Sequence, residues 1–354
     1  MAAIDKPPLI RSFPRPGYVD ALLWLPSLSN FSSRILAGAY DPDSSTSSLQ
    51  TLFISSSSVT PRASISVPSR IASLKTSSSS LVPSKAVVAA ATRSGSAHFY
   101  SVDLVNESMS VEFSVSDKGF HSGAISGIDL TENGSDCVTV GEDGKINLVS
   151  LSENRDFRKV FDNEGWDSYN SVKWASPVEF VTGSFGFSLQ WWDQRKATGP
   201  VAFFKLKDEW NQGAASGSVH SIDIHTSRKH TCLAGGTGGT LFAWDIRAPK
   251  EPVLLSRPGG DTTKPFIEST IWEVQYDDYR HSSKAINSLS SSSKILPAMT
   301  CSEDGILASI EQGEEAVDLL AGACSINTFD INKQNPADVV CSLEWESIVI
   351  VHRS

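Results

Sequence analysis

The chain has 354 residues, 40% of them hydrophobic and 9% aromatic, which is ample for a buried core and excludes disorder by composition. Its 40 acidic and 30 basic residues leave a net charge of -10. An acidic body is a poor sequence-independent ligand for nucleic acid or anionic membrane, so a protein is the expected partner, with no direct nucleic-acid contact.

The N-terminal "MAAIDKPPLIRS" lacks a charged start followed by a long apolar run. No stretch approaches the roughly 18 apolar residues of a membrane span, so neither a signal peptide nor membrane insertion is expected. Helical periodicity is weak, and short β-rich runs bounded by Gly, Ser, Asp and Pro predict an all-β chain. The runs repeat. "VDALLW" places Val19, Leu22 and Trp24 at apolar steps of three and two, and "IASLKT" (Ile71, Leu74) is a weaker copy. "ISGIDL", "YNSVKW", "VHSIDI", "IWEVQY" and "INTFDI" follow, starting at Ile125, Tyr169, Val219, Ile271 and Ile326. Successive first positions lie 52, 54, 44, 50, 52 and 55 residues apart, so seven copies cover the chain.

Each copy precedes a second run of small and β-branched residues, as in "CVTVGEDG" and "AMTCSEDG", and then a third, as in "KINLVSL" and "SLQWWDQR". A tight turn between alternating runs makes an antiparallel hairpin; Asp143-Gly144 and Asp304-Gly305 suit a type I′ turn, which takes positive φ at both central residues. Three strands and an outer fourth, repeated seven times, predict a single seven-bladed β-propeller over residues 1–354. Ser-rich tracts at 44–48, 55–58, 77–80 and 288–293 are expected to be loops between strands.

The terminal "ESIVIVHRS" reads as a third strand without a fourth, so residues 7–14 are expected to supply the outer strand of the last blade and close the ring. Joining the ends costs roughly 5 kcal/mol. Burial of two or three of Leu9, Ile10 and Phe13, at roughly 2 kcal/mol each, is expected to offset it.

Catalytic, metal and cofactor sites are not expected. The Glu-Asp-Gly turns lack the alternating acids and twelfth-position Glu of a calcium loop. No His pairs with His or Cys at metal-ligand spacing, and the five cysteines read as reduced core thiols. No Ser sits in a nucleophile elbow, and "GGTGG" precedes a strand where a phosphate loop precedes a helix. No small-molecule substrate is expected. One column invites a functional reading. The residue after each leading apolar position is Asp20, Ala72, Ser126, Asn170, His220, Trp272 or Asn327. It points away from the apolar set, towards one rim of the central channel, where Trp272 would anchor a partner; the alternative is a Trp272 packed between blades.

"WWDQR" and "AWDIR" (Trp192, Asp193, Trp244, Asp245) resemble the closing signature of WD repeats, and "FHSGAISGID" around His121 resembles their Gly-His start. "VTVGEDGKINL", "IWEVQYDD", "TCSEDG", "CSINTFDIN" and "ESIVIVHRS", in that order, resemble the small WD-repeat nucleoporin of the Y-shaped scaffold complex. That resemblance implies a structural subunit of the nuclear pore's outer ring at the nuclear envelope. It implies docking on an α-helical solenoid nucleoporin beside fellow propellers, and support of messenger RNA export and protein import. A single Phe-Gly pair, Phe185-Gly186, sets it apart from the disordered permeability barrier. The alternative is a substrate receptor of a cullin-RING ubiquitin ligase, since "WDQR" and "WDIR" are Trp-Asp-x-Arg boxes whose Arg195 and Arg247 would contact the adaptor. A general peptide or histone reader is a third reading.

Overall fold

A computed structural model describes residues 7–353 except 27–32, 79–81, 83, 153–154, 164, 166, 197–198, 206–216, 226, 249–252, 256–268, 278, 280–296, 313–315 and 345–346. Seven four-stranded antiparallel sheets follow one another, each a blade. Their inner strands are Tyr18–Trp24, Ile71–Ser78, Ile125–Leu130, Tyr169–Ser176, Val219–Ile224, Ile271–Tyr276 and Ile326–Ile331. These are the seven repeats of the sequence, and the all-β, seven-bladed propeller is the observed fold.

Apolar side chains on both faces of each blade are buried against its neighbours. They form seven clusters, one at each junction between adjacent blades. The junction of blades 7 and 1 joins Val19, Leu22, Trp24, Ile35 and Leu52 to Val340, Ile348 and Ile350. The core is therefore distributed around the ring, and each blade is stabilised only by having two neighbours.

Polar groups on the inner strands cross the junctions. The fifth residue counted from each leading apolar position carries many of them. Asp129 accepts the Trp174 amide at 2.8 Å, Asp223 that of Tyr276 at 2.8 Å, and Gln275 that of Ile331 at 3.2 Å. Asp330 accepts the Trp24 amide at 2.7 Å, while the Trp24 indole N–H donates to the Asp330 carbonyl at 3.0 Å. Elsewhere Arg70 pairs with Asp20, the Ser77 hydroxyl donates to the Glu132 carbonyl, and Lys173 reaches Asp223. Burial would lower the Lys173 pKa, but Asp129 and Asp223 outweigh it and hold the ammonium above its ordinary range.

Residues Leu9–Pro14 form the outer strand of blade 7, paired antiparallel with Ser347–His352 from Leu9↔His352 to Pro14↔Ser347. The position matches the sequence expectation; the side-chain accounting does not. Leu9 and Ile10 are 59% and 44% exposed, and only Phe13, half-buried, packs against the blade 7–blade 1 cluster. With Ile10 on the solvent face and Leu9 at the exposed end of the strand, closure rests on the backbone ladder, at roughly 1 kcal/mol net per bond. Next to it Arg353 is buried against Asp277 at 2.6 Å and lies 4.5 Å over the Tyr279 ring, tying the end of blade 7 to the end of blade 6's inner strand.

Two further expectations need correction. The Glu-Asp-Gly hairpins are not type I′. Only Gly144 and Gly305 have positive φ, 73° and 84°, and their amides bond back to Gly141 and Ser302. That is a type I turn followed by a left-handed glycine. The Ser-rich tracts are only partly loops. Residues 55–58 form an exposed turn, but Ser47 and Ser48 lie in strand Thr46–Ile54 of blade 1, and Ser77 and Ser78 in the inner strand of blade 2. Ser77 is buried by its junction contact. Residues 79–80 and 288–293 lie outside the described residues.

Deleting residues 1–15 removes the ladder on Ser347–His352 and exposes that strand's edge. The melting temperature is expected to fall by about 5 °C or more, measured by circular dichroism; an unchanged melt would remove the closing role. Asp330 gives a second expectation. Burial raises its carboxyl from 3.8 to about 6, against the Trp24 hydrogen bond that lowers it. An acid raised by folding takes up its proton in the folded state first, so this penalty is absent below about pH 4 and full above about pH 7. From about pH 5 to 7.5 wild type loses roughly 1 kcal/mol through this group, and Asp330→Asn does not. Urea midpoints at the two pH values, with equal slopes for both proteins, would contradict this.

Candidate functional site

Each inner strand opens with a buried apolar residue and then breaks register with its neighbour. The ladders skip one residue between Val19/Ala21, Ile71/Ser73, Ile125/Gly127, Tyr169/Ser171, Val219/Ser221, Ile271/Glu273 and Ile326/Thr328. The skipped residues are Asp20, Ala72, Ser126, Asn170, His220, Trp272 and Asn327. A β-bulge leaves its extra residue out of the ladder and re-aims its side chain. All seven residues line one cavity of about 150 Å³, enclosed by all seven inner strands. The column picked out by sequence is thus brought together at one mouth of the channel.

The seven side chains differ in what they leave open. Asp20 is taken up by Arg70, whose Nε donates to it at 3.1 Å and whose guanidinium stacks 4.5 Å over Tyr40. Hydrogen bonding to Asp20 raises the Arg70 pKa. The Ser126 hydroxyl donates to the Tyr169 carbonyl of the next blade. Asn327 accepts from Ser325 Oγ at 2.8 Å and is exposed. Asn170 is half-buried and Ala72 contributes only a methyl group. His220 packs 5.0 Å from the Trp272 ring with its Nε2 3.2 Å from the Thr237 hydroxyl. Burial pulls the His220 pKa down, partly opposed by Glu303. Trp272 is 36% exposed. It lines the channel mouth with one side against His220 of the neighbouring blade and the rest open.

The other polar motifs stabilise blades. His121 is buried, its Nδ1 2.9 Å from Asp143 and its Nε2 3.0 Å from both the Thr139 hydroxyl and Asn147 Nδ2. Burial would raise the Asp143 pKa, but His121, the Ser122 amide and Lys145 hold it well below the carboxylate range. Four of the five cysteines are buried and all are free; burial pushes Cys232 and Cys341 up to about 12, so these thiols are inert. Among the described residues no group of three His, Cys, Asp or Glu residues could hold a metal.

Arg195 and Arg247 are exposed at turns after third strands, at the end of the blades opposite the bulges. Each folds back on the Asp of its own box: Arg195 Nη2 lies 2.7 Å from Asp193 and Arg247 Nη2 2.5 Å from Asp245. These guanidinium bonds pull both carboxyls down to about 2. Phe185, half exposed, sits at the hairpin tip of blade 4 on the mouth side, bridged to Ser218.

Sequence reading missed the inner-strand polar residues Asp129, Asp223, Gln275 and Asp330. Their signal was a charged or amide side chain in the middle of an otherwise apolar strand, which a buried position tolerates only with a partner.

No protein-family model matches the chain. It is 47% identical over 363 residues to the nuclear pore complex protein NUP43 of Arabidopsis thaliana, across 97% of each chain. It is 29% identical over 171 residues to mouse nucleoporin Nup43, covering 48% of this chain and 37% of the mouse protein. With human nucleoporin Nup43 it shares 28% identity over 176 residues, 49% of this chain and 39% of the human one.

Because Trp272 is a mouth residue, Trp272→Ala is expected to change the melting temperature by less than about 1 °C, while Trp174→Ala, which empties a junction, costs about 3–5 kcal/mol. Differential scanning calorimetry separates the two; comparable losses would return Trp272 to the core.

Proposed function

The chain belongs to the Nup43 family of nuclear pore complex proteins, and from that premise we propose that it is a non-enzymatic scaffold subunit of the outer ring. It is a nuclear pore complex subunit and resides at the nuclear pore with other nucleoporins. In the finer reading it docks on an α-helical solenoid nucleoporin, beside fellow propellers of the Y-shaped complex, and so supports messenger RNA export and protein transport. The docking surface is the channel mouth, with Trp272 as anchor and Asp20, Ser126, Asn170, His220 and Asn327 around it. The observation that carries this reading is the convergence of seven bulged residues on one mouth, with an aromatic side chain left exposed there. A rigid closed ring suits docking: its blades are fixed by their neighbours, so binding orders little backbone. The ubiquitin-ligase reading has less support, because Arg195 and Arg247 are engaged by their own Asp residues.

Affinity purification of the tagged protein is expected to recover scaffold nucleoporins, and microscopy a nuclear rim. Trp272→Ala should reduce that recovery by about tenfold, a typical hot-spot effect. Recovery of a cullin adaptor in their place, lost on Arg195→Ala with Arg247→Ala, would overturn the scaffold reading.

A further inference from the structure

We propose that the channel mouth at blades 5 and 6 seats a positively charged side chain, an arginine or lysine on a basic segment of a partner protein. This rests on the docking reading above and adds the chemistry that is recognised. Trp272 is backed by His220 at 5.0 Å and still 36% exposed, a rigid aromatic surface of the kind that attracts a cation. Burial holds His220 below its ordinary range, so at neutral pH the ring carries no charge to repel one.

A carboxylate is in place beside them. The Glu303 amide donates to the Thr270 carbonyl at 2.9 Å, one residue before the strand that carries Trp272. Glu303 is exposed, its charge acts on the His220 ring, and it has no ion-pair partner among the described residues. Glu273 also lines the cavity, with Oε2 accepting from the Thr328 hydroxyl and the Phe329 amide. The arginine nearest the opposite side, Arg70, is already held by Asp20, and Lys75 lies three residues deeper along its strand.

The face is acidic on balance among the described residues. The hairpin tips between second and third strands surround the mouth and expose Asp43, Glu142, Glu303, Asp304 and Glu344 against Arg93, and the connections from fourth to first strands at the same end expose Asp117 and Asp167 against Lys118 and Lys205. A cavity of about 150 Å³ accommodates one side chain and is smaller than the roughly 300–1,000 Å³ of small-molecule pockets.

The test uses the full chain labelled with 5-fluorotryptophan, with the Trp272 fluorine resonance identified by its loss in Trp272→Phe. The probe is the blocked tripeptide acetyl-Gly-Arg-Gly-amide, against its citrulline counterpart of equal shape and no charge. The arginine peptide is expected to shift the Trp272 resonance saturably, roughly threefold more weakly in Glu303→Gln and more weakly again at high salt. No shift, or an equal shift with citrulline, overturns the proposal. A parallel purification with Trp272→Ala keeps the two readings apart. Lost nucleoporins without an arginine response remove the cation site and leave docking intact. An arginine response with undiminished recovery supports the cation site and removes docking through the mouth.

Discussion

Everything in this ring depends on the junction where blade 7 meets blade 1, and there on one doubly bonded pair: Trp24 donates its amide to the Asp330 carboxylate and its indole N–H to the Asp330 carbonyl. The apolar clusters between blades supply most of the burial free energy, but apolar contact has no direction and tolerates sliding. A hydrogen bond between a buried carboxylate and one amide does not, because displacement by one residue strands both groups without water. Asp129, Asp223 and Gln275 repeat the arrangement at other junctions. The inner strands are thus packed by oily side chains and indexed by polar ones. Indexing has a cost at Asp330, where partial burial of the carboxyl raises its pKa against the Trp24 hydrogen bond.

The apolar steps of three and two were the most informative feature of the sequence, and they held more than the repeat. A regular strand alternates in steps of two. The step of three in "VDALLW" or "IWEVQY" is one residue too many, and the structure places a bulge there in all seven inner strands. The fold and the site are written in the same irregularity. What was not legible has a common cause. The partners of Asp129, Asp223 and Asp330 lie in another repeat, and no local pattern announces a contact that exists only once the ring is formed. The exposure of Ile10 follows from an outer strand having a solvent face, shared with Ser12 and Pro14, whereas Leu9 lies on the face of Phe13 but at the strand's exposed end; the composition of "LIRSFP" reveals neither. The turn type escaped because Asp-Gly serves two hairpin geometries: the central pair of a two-residue type I′ loop, or, as here, the last two residues of a Glu-Asp-Gly loop whose type I turn is centred on Glu-Asp.

The site follows from the fold without extra machinery. Inner strands converge on the axis, bulges turn one residue per blade inward, and the small cavity they enclose is a meeting of seven positions that can vary independently. In this chain two of the seven are aromatic neighbours, two are committed to holding adjacent blades, and the rest are small or polar. In the proposed docking role such a mouth works by surface chemistry, apart from the thiols and carboxylates buried in the blades.

The pairing of Leu9–Pro14 with Ser347–His352 also sets a timetable. The ribosome makes the first of these strands at the outset and its partner only after six blades and most of the seventh have emerged, on the order of a minute later at 5–20 residues per second. Through that interval the early strand has no ladder to join, and blade 1 lacks the neighbour that buries Trp24 and Ile35. The nascent chain is therefore an open arc with two raw ends. The apolar surface at those ends is covered only when the late strand arrives.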